Sequence, residues 1–137
     1  MRRAVLDTGP LVAFFNPRDA HHAWALEQTR TLTTPLITCE AVLTEAYHLL
    51  NRVPHARLAM LRWIDLGRVK TPFHFDEQAS EITRLLARYA DQRMDFADAC
   101  MVRMAELELL PVFTLDVRDF SIYRIHRNEA IPLIVPV

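Results

Sequence analysis

At 137 residues, 51% of them hydrophobic, the chain has enough apolar surface for one sizeable core, which excludes a disordered protein. Its formal net charge of −1 excludes a global field that would draw in nucleic acid. No apolar run approaches the roughly 20 residues that span a bilayer, and Asp7 and Pro10 break the N-terminal apolar stretch, so no membrane helix and no secretion signal are expected. The expectation is one cytoplasmic domain over residues 1–137, with Cys39 and Cys100 reduced and buried. Lys70 is the only lysine, so nearly all cations are arginines, which suit bidentate phosphate contacts but also follow from a GC-rich coding bias.

In chain order, apolar β-branched runs predict strands at 3–7, 36–38, 69–73 (the weakest), 111–116 and 131–135. Helical spacing predicts helices at 19–31, 40–52, 55–66, 76–90 and 95–109. Thr8-Gly9-Pro10 reads as a turn that returns residues 11–15 to the core as a further helix. Pro35, Pro54, Pro72 and Pro111 stand at junctions, where proline is tolerated. Strands alternating with helices predict an α/β fold, a three-layer α/β/α sandwich with a mainly parallel central sheet. Ligands of such sheets gather beyond the carboxyl ends of the strands.

Several acids fall at that edge. Asp7 closes the first strand and Asp116 the strand at 111–116; each alone reads equally as a helix cap. Glu45 lies beside an apolar stripe of Val42, Ala46, Leu49, Leu50 and Val53, with His48 partly buried nearby, and would either be held near the core or snorkel to water. Asp95 is a good N-cap for its helix, with Asp98 completing a capping box. Asp98 also aligns with Val102, Ala105 and Leu109, the positions expected to face the sheet, which favours a functional role. Asp7, Glu45, Asp98 and Asp116 packed together would repel, and a hard cation, Mg²⁺ or Mn²⁺, removes the conflict. The six histidines show no zinc-ligand spacing.

The blocks LDTGPLVAFF, TEAYHLL, MDFADACMVRMAE and VFTLDVRDF resemble, in order, the signature blocks of PIN-domain ribonucleases, closest to the VapC-type toxins of VapBC toxin–antitoxin systems. The resemblance spans nearly the whole chain. It implies an acidic pocket of Asp7, Glu45, Asp98 and Asp116 that binds Mg²⁺ or Mn²⁺ and hydrolyses RNA. It makes Asp7, Asp98 and Asp116 the first metal ligands, with Glu45 and Asp95 as further candidates. Thr8, Thr114 and Asp95 become supporting residues around them. It further implies an antitoxin partner covering the active site, and a homodimer.

The chemistry expected is in-line attack by an activated water, Glu45 or a second ion assisting, to leave a 5′-phosphate and a 3′-hydroxyl. Arg118 and Arg93, near the acids in sequence, are candidates to hold flanking phosphates, or are ordinary solvated charges. Three rivals have sequence tests. A phosphatase using Asp7 as nucleophile would want a second acid closer than Asp19. A receiver-like signalling domain would want a lysine at a late strand end, where there is none. A PIN nuclease of RNA processing, or a non-catalytic module whose acids bind a partner's arginine, remains open.

Overall fold

Residues 2–136 are described by a computed structural model built around seven short strands. They are β1 (Val5–Leu6), β2 (Leu36–Ile37), β3 (Val69–Lys70), β4 (Val112–Phe113), β5 (Arg124–Ile125), β6 (Glu129–Ala130) and β7 (Leu133–Ile134). Five form a sheet in the order β3-β2-β1-β4-β7, every pair parallel. β5 and β6 form a separate antiparallel hairpin. Successive strand residues point to opposite faces, and both residues of β1, β2 and β4 are buried, so the sheet is covered on each side. This is the α/β/α architecture the alternating pattern predicts.

The helices are α1 (Thr8–Phe15), α2 (His22–Thr31), α3 (Glu40–Leu49), α4 (Ala56–Asp65), α5 (Phe75–Arg88), α6 (Phe96–Glu108) and α7 (Val117–Ile122). α6 buries Ala99, Cys100, Met101, Val102, Met104 and Ala105, and touches α3, α5, β1 and β5. Among the described residues no helix is long and apolar enough to cross a membrane.

Chain order places the switch point. From β1 the chain moves outward through β2 to β3, then crosses back to β4 and β7 on the other side. The reversal falls between β1 and β4, and the carboxyl ends of those neighbours border the crevice where ligands of open parallel sheets bind. Val5 pairs with Val112 and Leu6 with Phe113, which sets the two strand ends level.

Four expectations need correction. α1 starts at Thr8, directly on Asp7, with no separate turn: Asp7 is its N-cap, and Pro10 sits in the first turn, where no intrahelical N–H bond is lost. β4 ends at Phe113, so Asp116 lies in the following loop and caps α7. Leu49 and Leu109 are 53% and 73% exposed, the first at the last turn of α3 and the second in the left-handed residue that ends α6. Glu45 and His48 are likewise on the exposed side of α3, whose buried positions are Val42 and Ala46.

Candidate functional site

Asp7 follows β1, and its backbone N–H still bonds to Phe113 O of β4 at 3.0 Å. Its Oδ1 accepts from Thr8 N at 2.8 Å and its Oδ2 from the Thr114 hydroxyl at 2.7 Å. Thr114 is fully buried just past β4, and its Oγ1 also accepts from Asp116 N at 2.9 Å. One threonine therefore ties the end of β1 to the loop that carries Asp116. Gly9 brings the two segments that close: a Cβ there would lie 3.0 Å from Leu115 Cγ. Burial pushes the Asp7 carboxyl up to about 6, opposed by its bonds to Thr114 and Thr8 and reinforced by the charges of Glu45 and Asp116.

Asp98 stands in the first turn of α6, half-buried. Its N–H bonds to Oδ1 of Asp95, the N-cap, at 2.7 Å, and its Oδ2 accepts from the Tyr123 hydroxyl at 2.9 Å. Tyr123 is fully buried, edge-on to Tyr89 and Phe120, so its hydroxyl is a fixed donor. Burial and then the Asp95 charge push the Asp98 carboxyl to about 7, Tyr123 opposing and Asp7 and Asp116 adding to the rise. The Tyr123 phenol is pushed up by burial and by Asp98, and so stays protonated as a donor.

Asp116 caps α7, its Oδ1 accepting from Asp119 N at 3.0 Å. One ligand oxygen each from Asp98, Asp116 and Asp119 lie within 4.8 Å of one another. Burial and then Asp116 raise the Asp119 carboxyl, with Arg118 opposing. Asp7 and Glu45 stand outside this triad, Asp7 turned to its own two donors and Glu45 exposed on α3, close enough to act on the Asp7 charge. Asp95 is exposed and engaged in capping. Thr8 Oγ1 is buried with no hydrogen-bond partner, an orphan beside Asp7.

The donor set decides which ion fits. All three oxygens belong to carboxylates, the ligands of hard divalent cations. Such an ion is bound by a few carboxylates and keeps several waters, and Asp98, Asp116 and Asp119 offer one oxygen each within 4.8 Å of one another. Burial holds Asp98 and Asp119 up first and neighbouring carboxylates second, and a cation would relieve that second part. The orphan Thr8 hydroxyl has the character of a group waiting for a water.

Two of these residues are missing from the sequence reading. Asp119 had a signal, since Asp116-x-x-Asp119 repeats the spacing of Asp95-x-x-Asp98. Tyr123 had none, because nothing in its segment tells a buried phenol from an ordinary core aromatic.

A parallel sheet with acids converging at the β1–β4 switch point fits a PIN-type domain, and the chain belongs to that family: a model described as PIN domain matches residues 4–125. Among curated proteins, the chain is 30% identical over 123 residues to Ribonuclease VapC26 of Mycobacterium tuberculosis, covering 88% of this chain and 91% of that protein. Among solved structures it resembles Mycobacterium tuberculosis VapC20, described as a Sarcin-Ricin loop cleaving toxin, with a TM-score of 0.64, 23% identity, and coverage of 80% of this chain and 85% of that one. It also resembles VapBC2 from Rickettsia felis, bound to a DNA fragment from their promoter, with a TM-score of 0.65, 16% identity and full coverage of both chains (100% each).

Proposed function

We propose that this protein is an Mg²⁺- or Mn²⁺-dependent endoribonuclease, carried on one domain, and the toxin of a toxin–antitoxin pair acting on cytoplasmic RNA. The observation that carries the reading is the meeting of Asp98, Asp116 and Asp119 beside Asp7 at the switch point of the sheet. The 30% identity to a named ribonuclease over nearly the whole chain supports the substrate class. The likeness to VapBC2 is in keeping with an antitoxin partner, and the family resemblance suggests that such a partner covers the site and that the chain forms a homodimer.

Asp98, Asp116 and Asp119 would hold the cation, with Asp98 Oδ2 kept in place by Tyr123. A bound divalent cation supplies electrophilic stabilisation to the phosphoryl group and makes water more acidic. Asp7, fixed by Thr8 N and Thr114, keeps a negative charge on the floor of the site and cannot swing away. Glu45, exposed at the rim, is free to orient the attacking water and take its proton. Attack in line by water leaves a 5′-phosphate and a 3′-hydroxyl and makes no use of the 2′-hydroxyl.

The test is RNA incubated with Mg²⁺ or with EDTA, comparing the wild type with Asp98→Asn and Asp116→Asn. Cleavage that needs the cation and falls at least 100-fold in each variant supports the reading. Cleavage indifferent to EDTA and to both substitutions sinks it. Growth arrest on expression, relieved by Asp98→Asn, separates a toxin from a nuclease of RNA processing.

A further inference from the structure

Beside the acid cluster lies a polar cavity that the chemistry above leaves unused. Its volume is about 620 Å³, and its walls are Asp91, Gln92, Arg93, Arg118, Asp119 and Ile122. One wall is the 3-10 turn Ala90–Gln92 that precedes α6, and the other is α7. Asp119 belongs to both the cavity and the carboxylate triad, so the two spaces share a wall.

We propose that this cavity is a backbone-phosphate subsite for single-stranded RNA, with Arg93 and Arg118 as its two cationic contacts. The proposal rests on the nuclease reading for the identity of the polymer, and on this cavity for the place and the residues.

Arg93 and Arg118 come from segments 25 positions apart, yet face one space. Both are exposed, and among the described residues neither guanidinium has a hydrogen bond or an ion pair. Arg84 and Arg103 are paired with Glu81 or Glu106, and Arg57 bonds a carbonyl and stacks on Tyr47; other surface arginines such as Arg62 are unpaired too among the described residues, and what sets Arg93 and Arg118 apart is that they line one cavity beside the carboxylates. An unpaired guanidinium offers five donors in a fork that matches a phosphate. Arg93 itself takes left-handed backbone, φ 55°, to end the 3-10 turn. An ordinary side chain holds that conformation at a cost, and a strained residue on the wall of a cleft is a reason to ask what it contacts.

Around the cavity Asp91 and Asp119 offset Arg93 and Arg118. A divalent cation held by Asp98, Asp116 and Asp119 would offset two of their three negative charges, which lowers the repulsion an RNA phosphate meets at the shared wall.

The experiment measures binding rather than cleavage. Short fluorescein-labelled single-stranded RNA is titrated with the full chain in Ca²⁺ at several salt concentrations. The wild type is compared with Arg93→Gln, Arg118→Gln and, as a surface control, Arg62→Gln on α4. Mn²⁺ binding alone is measured on the same four proteins. The expected result is a 3- to 10-fold weaker RNA affinity and a salt slope smaller by about one for each cavity variant, with Mn²⁺ affinity and the Arg62→Gln control unchanged. Unchanged slopes in both cavity variants overturn the proposal, as does a wild type that binds no RNA. A parallel loss of Mn²⁺ affinity also overturns it, because the arginines would then act on the carboxylates. If the wild type binds RNA through these arginines yet cuts none with Mg²⁺, the subsite stands and the nuclease reading fails.

Discussion

Replacing Asp7 by asparagine removes a charge from the least hydrated place in the site, where the carboxylate is only 9% exposed and burial lifts it to about 6. Unfolded, the same carboxyl titrates near 4. The native state therefore holds the proton more tightly, and the group's contribution to stability is full below pH ~4, falls as pH rises, and is gone above pH ~6. The difference amounts to about 3 kcal/mol at neutral pH. Asparagine escapes that penalty and keeps the bond from Thr8 N, but its amide must donate toward a Thr114 hydroxyl that now donates to Asp7. Turning that hydroxyl costs about 1 kcal/mol. In EDTA the variant is thus expected to be about 1 kcal/mol less stable than the wild type at pH ~3, equal near pH ~4.5, and about 2 kcal/mol more stable at pH ~7.5. Urea denaturation of both proteins across that range reads the crossing directly. A stability gap that stays flat with pH, or a variant less stable throughout, refutes the reasoning. In saturating Mn²⁺ both proteins should gain stability, because Asp98, Asp116 and Asp119 are intact in each and a cation bound there stabilises the folded state by mass action.

Tyr123→Phe deletes one hydroxyl from a packed ring and frees Asp98 Oδ2; Mn²⁺ affinity measured calorimetrically should fall about 10-fold while the thermal midpoint moves little. Thr114→Val keeps the shape but leaves Asp116 N without its acceptor and Asp7 Oδ2 without its donor, so urea denaturation should show a loss of about 1–3 kcal/mol at neutral pH, and an assay of cleavage a further loss of rate. Gly9→Ala places a methyl 3.0 Å from Leu115 Cγ and should displace the loop to Asp116, lowering cleavage about 10-fold, with the better helix former of α1 offsetting the strain in a denaturation curve.

Much of this arrangement was legible in the sequence because of where apolar patterns stop. The five long helices showed themselves by period, and their observed ends fall within about three residues of the expected ones. The strands were found but overestimated, since 111–116 continues past Phe113 as a loop that looks equally apolar. Asp7, Asp98 and Asp116 stood out as charges beside buried runs. α7 was invisible because six residues are too few to show a period, and Asp119 was lost with it. The β5–β6 hairpin turns through His126 and Asn128 at φ 48° and 68°, a turn that no glycine announces. Of the two places open to Glu45, near the core or out in water, the second holds; the stripe that left it undecided was drawn through Leu49, which faces solvent. The pairing of Arg93 with Arg118 depends on tertiary structure alone.

The central claim is that the carboxylates at the β1–β4 edge direct water at an RNA phosphodiester. Sequencing of RNA ends after brief induced expression tests it most directly, using ligation chemistry that separates 5′-phosphate from 5′-hydroxyl ends. The account predicts new fragments bearing 5′-phosphates and 3′-hydroxyls, absent when Asp98→Asn is expressed to the same level. Fragments ending in 2′,3′-cyclic phosphates, or the same fragments from the variant, would contradict it.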